Sequence, residues 1–101
     1  MIDLNAIDPA EVVAKGQYSI VRAAHEDAKK RLAGLCSQFS PIAPQILRLA
    51  QPDDDNVPDA VAIAALIKQG RALLNKIEAQ IAEVESLATQ RAMLKQAAWG
   101  G

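Results

Sequence analysis

His25 and Cys36 each occur once in the chain, and a thiol next to an imidazole is the usual make-up of a cysteine nucleophile and its base. That chemistry needs contact. The two residues are eleven positions apart, which on one helix is roughly 16 Å along the axis at about 1.5 Å per residue. They share a face without touching, so the expected roles are a histidine in a helix seam and a small buried thiol. No second histidine or cysteine is present to complete a zinc site.

Asp53, Asp54, Asp55 and Asp59 form the densest carboxylate group, and loop carboxylates can hold Mg²⁺ or Ca²⁺. The spacing argues against a calcium loop. One begun at Asp53 would put Val57 at an oxygen-ligand position, Pro58 at the glycine position and Ala64 where the bidentate glutamate belongs. The expected role is a solvated turn whose negative charge suits the helix N-terminus that follows. No metal and no cofactor are expected.

Lys29, Lys30 and Arg31 form the only basic run, which together with Arg22 could meet phosphates. Glu26 and Asp27 stand four residues before Lys30 and Arg31, the spacing of intrahelical ion pairs. A formal net charge of -1 gives no general attraction to nucleic acid or anionic lipid. A dimeric nucleic-acid regulator using the Arg22, Lys29, Lys30 and Arg31 face is therefore the alternative, not the leading expectation. With no phosphate loop, nucleophile elbow or metalloprotease motif, the chain is not expected to be an enzyme.

The elements that carry these residues follow from composition and periodicity. Half of the 101 residues are apolar but only 3% are aromatic, so a core must come from Ala, Leu, Ile and Val. Alanine favours helix and lets helices approach closely. Asp8 as N-cap, Pro9 at the first helical position, Glu11 as capping-box carboxylate, and Ile7 with Val12 as staple predict a helix over about 9–38. Its seam is Ala14, Tyr18, Val21, His25, Ala28, Leu32, Leu35 and Phe39, widened by Val13 and Ile20. Gly34 is an alternative stop.

Pro41, Pro44, Pro52 and Pro58 forbid one continuous helix through the middle, so about 40–58 is a proline-bounded connector with a short helix around Ile46, Leu47 and Leu49. Asn56 as N-cap, with Pro58 and Asp59 in the first turn, predicts a long helix over about 58–98. Its stripe is Ile63, Leu66, Ile67, Gly70, Leu73, Leu74, Ile77, Ile81, Val84, Leu87 and Leu94. Gly70 costs about 1 kcal/mol relative to Ala in a helix, and a close crossing flanked by Ala64, Ala65 and Ala72 is expected to compensate; the alternative is a tolerated surface glycine.

The expected fold is a single all-α domain over 1–101, an antiparallel helical hairpin with a short middle helix, assembled into a four-helix bundle or coiled-coil-like dimer. A lone hairpin would leave much of each stripe in water. The expected function is a non-enzymatic helical interaction or assembly protein of adaptor, chaperone or small-inhibitor type. It would be a homodimer that also meets a larger protein partner. The candidate interaction residues are Leu73, Ile77, Ile81, Val84, Leu87, Leu94 and Trp99, the last because tryptophan anchors interfaces. One cysteine, no basic leader and no apolar run of about 20 residues suggest a cytoplasmic protein that does not engage the membrane.

Overall fold

The computed structural model describes residues 9–52 and 57–100. The described chain is all-α and contains no strand, with α1 Pro9–Phe39, α2 Ile42–Ala50 and α3 Ala60–Trp99. The proposed cap and staple at Asp8 and Ile7, the carboxylates Asp53 to Asp55, and Asn56 lie outside the described residues.

Several helix ends have an identifiable cause. α1 runs on through Gly34, so that residue is not its stop, and the Ser40 amide closes the last turn on the Cys36 carbonyl at 2.9 Å. Pro44 fits inside α2 because it occupies the first turn, where amides have no partner within the helix. The Gln51 amide bonds to the Leu47 carbonyl, and Pro52 follows immediately, which ends α2. At the start of α3 the Asp59 carboxylate accepts the Ala62 amide at 3.0 Å, and its carbonyl accepts the Ile63 amide. Asp59 is thus the N-cap. Pro58 precedes the helix and is not part of its first turn, which corrects the expected start. Gly100 closes the far end of α3, at a φ of 71° that side-chain-bearing residues rarely adopt, by donating to the Gln96 carbonyl at 2.8 Å.

The chain divides into two compact units. The first combines Met1–Lys30 with Ala82–Gly101. In it α1 numbering rises as α3 numbering falls, since Tyr18 meets Trp99 while His25 and Glu26 meet Arg91, so the two segments run in opposite directions. Among the described residues its buried apolar ones are all alanines: Ala14, Ala28 and Ala98. Val13 and Ile20, expected to widen the seam, are 56% and 72% exposed. The remaining seam positions Tyr18, Val21 and His25 are half-buried.

The second unit, Arg31–Ile81, holds the end of α1, all of α2 and the first half of α3. Ile42, Leu73 and Ile77 are its buried core. Gly70 is buried there too, so it is not a surface glycine. Nor does it mark a crossing that only glycine permits. A methyl group built on it would stand 3.7 Å and 3.9 Å from the Ile42 side chain and 3.8 Å from Phe39, which is ordinary van der Waals contact. Gly70→Ala is therefore expected to stabilise the fold by about 1 kcal/mol through helix propensity, read as a higher midpoint in urea. An unchanged or lower midpoint would count against this packing.

Candidate interaction surface

Within the first unit, polar and aromatic side chains gather around Arg91. Its Nη1 donates to Glu26 Oε1 at 3.0 Å and lies 3.1 Å from His25 Nδ1, while its Nε donates to the Tyr18 hydroxyl at 3.4 Å. A guanidinium can only donate, so a hydrogen bond here uses the His25 tautomer that carries its proton on Nε2. Glu26 also pairs with Lys29 at 3.1 Å. That pair and Arg91 replace the expected partner Lys30. The Tyr18 ring meets Trp99 edge-on with centroids 4.9 Å apart, and the Lys15 ammonium lies 5.8 Å from the Trp99 ring centre.

These contacts shift protonation in consistent directions. The hydrogen bond from Lys29, then that from Arg91, holds the Glu26 carboxyl below the usual carboxylate range. Arg91 also lowers the Tyr18 phenol by donating to its oxygen, and binds its own proton more firmly in return. A carboxyl depressed in the folded state stabilises the fold above its ordinary pKa, and that contribution disappears as pH falls through the depressed value. Melting temperature is therefore expected to fall on acidification below the usual carboxylate range, and Glu26→Gln is expected to flatten part of that decline. Superimposable acid limbs for the two proteins would rule the pairing out as a contributor. Nearly half of the Glu26 side chain is exposed, so the effect should shrink as salt rises.

The second unit offers an apolar recess instead. A groove of about 240 Å³ between α2 and α3 is lined by Phe39, Ile42, Ala43, Ile46, Leu66, Ile67, Gly70, Arg71 and Leu74. Phe39, Ile67 and Leu74 remain 38%, 43% and 43% exposed there.

The candidate interaction residues separate by environment. Leu73 and Ile77 are 7% and 9% exposed, hence core, and they cannot offer a surface to a partner. Val84, Leu87 and Leu94 are half-buried. Ile81 at 40% and Trp99 at 55% stay open to solvent, although the Trp99 ring is already engaged by Tyr18. Cys36 is exposed, contrary to the expected buried thiol, because it falls just past the inward Leu35. Arg22, Lys30 and Arg31 are exposed, and Lys29 is held by Glu26.

Arg91 was missed by apolar periodicity because it is charged, although it falls midway between Leu87 and Leu94 on the stripe. A gap in the stripe filled by arginine was the available signal. Among the described residues no cluster of histidine, cysteine or carboxylate could hold a metal, and no helix is long and apolar enough to cross a membrane. No protein-family model matches the chain, and no curated protein or solved structure matches it.

Proposed function

We propose that this chain is a non-enzymatic interaction or assembly protein, an antiparallel hairpin of α1 and α3 that self-associates through its apolar faces into a helical bundle. One observation carries this: more of the large apolar side chains are exposed than are buried. Among the described residues six hydrophobic residues form the core, three of them alanines, while twelve large hydrophobic residues are exposed. Burying one Val, Leu or Ile gives about 1.5–3 kcal/mol, so a second helical surface has much to gain by covering them. The same faces would serve a larger protein partner, and the single unpaired Cys36 suits a reducing, cytoplasmic setting.

Light scattering on a size-exclusion column, over a hundred-fold dilution series, tests the proposal. A mass of twice the chain that falls towards one on dilution is expected. A monomer at every concentration, together with no binding of a dye that reports apolar surface, would refute it.

A further inference from the structure

α3 carries an apolar row that its contacts within the chain cover only in part. Its inward seam alternates between positions such as Gly70 and Ile77 and positions such as Leu73, all buried. Beside that seam, roughly 40° further round the helix, Ile67, Leu74 and Ile81 recur at every seventh residue and are 43%, 43% and 40% exposed. α1 and α2 already pack on α3 in this unit, through Phe39 and Ile42, and the row still keeps about two fifths of its surface in water. That remaining apolar surface is open to a further helix.

We infer that this neighbour is α3 of a second copy, running antiparallel about a two-fold axis at Leu74. Two features of the row select that occupant. First, the heptad series Ala60, Ile67, Leu74, Ile81 and Ala88 reads the same in both directions. An antiparallel pair sets Leu74 on its own copy and Ile67 on Ile81 of the other chain, as an isologous interface requires. Second, Arg71 and Glu78 flank the row on the side away from the seam, one to either side of its centre. Like flanks face each other in an antiparallel pair, so Arg71 of each copy meets Glu78 of the other, twice by symmetry. Both residues are exposed, and among the described residues neither takes part in an ion pair. A parallel pair would turn Arg71 against the apolar seam side of its neighbour and leave both charges unmatched. The groove between α2 and α3 opens along Ile67 and Leu74, and so gives Ile81 of the second copy a recess to enter.

This proposal builds on the self-association inferred above, and it is tested in the full chain with Cys36→Ser as background. Arg71→Glu and Glu78→Arg alone are each expected to weaken dimerisation by about tenfold at low salt, since two symmetric pairs turn repulsive. The double variant is expected to restore it. In one chain these residues are seven positions apart and do not meet, so rescue can arise only between copies. Leu74→Cys is expected to form an intermolecular disulfide under mild oxidation. Ile67→Cys is not, because its counterpart in the second copy would lie about 21 Å along the axis, fourteen residues at about 1.5 Å each. Circular dichroism checks that every variant keeps its helices. A dimer that forms equally well with Arg71→Glu, or in which Leu74→Cys stays reduced, overturns this interface while leaving self-association intact; a monomer at all concentrations overturns both.

Discussion

Leu73→Ala is expected to destabilise the protein by about 2–5 kcal/mol, the range for removing a buried leucine side chain and leaving part of its volume empty. The total stability of a chain this size is about 5–15 kcal/mol, so the loss would take a large share of it. Leu73 is 7% exposed, and among the described residues its companions Ile42 and Ile77 are the only other large ones buried in that core. With so few contributors, the neighbours have little with which to close the cavity. Helix propensity does not add to the damage, because alanine is the best helix former. The far-ultraviolet spectrum at low temperature should therefore stay helical while the urea midpoint drops. Leu74→Ala, one position along and 43% exposed, provides the contrast at low protein concentration, where it should cost far less. Equal costs at the two positions would mean that the helix face assigned inward is wrong.

Ala28→Leu should fail for the opposite reason. Ala28 has no exposed surface, and the other buried apolar residues described in the first unit are also alanines, Ala14 at 8% and Ala98 at 1% exposed. A leucine needs room for three more carbon atoms at a position that is already fully covered. Forcing extra methylene groups into a packed core costs about 1–3 kcal/mol. Two readouts should move together: the melting temperature falls, and the Tyr18 and Trp99 fluorescence changes as their edge contact opens. A stabilised Ala28→Leu protein would instead show a loose contact with space to fill.

Much of the helical layout was legible because proline and periodicity act locally. Pro41 and Pro52 bracket α2, and the alternating spacing from Ala14 to Phe39 marks the inward side of α1. The start of α3 was harder. Asn56 and Asp59 are both sound caps three residues apart, and only the bond from the Ala62 amide to Asp59 identifies the one in use. Gly70 misled for a related reason. Its cost in a helix is visible in sequence, but whether a methyl would fit depends on where Phe39 and Ile42 end up. The candidate surface was less legible than the fold, because one apolar stripe on α3 contains both core residues such as Ile77 and open ones such as Ile81. Hydrophobicity alone does not separate adjacent rows. Their burial does.

The buried alanines of the first unit bear on how its two helical segments find their alignment. Small methyl groups mark one alignment less sharply than large side chains do. Arg91 supplies a sharper mark, since its fork meets Tyr18, His25 and Glu26 together at this setting, as the Tyr18 contact with Trp99 does. A polar group at such a position acts as a vernier mark, giving up some affinity to make a single alignment distinct.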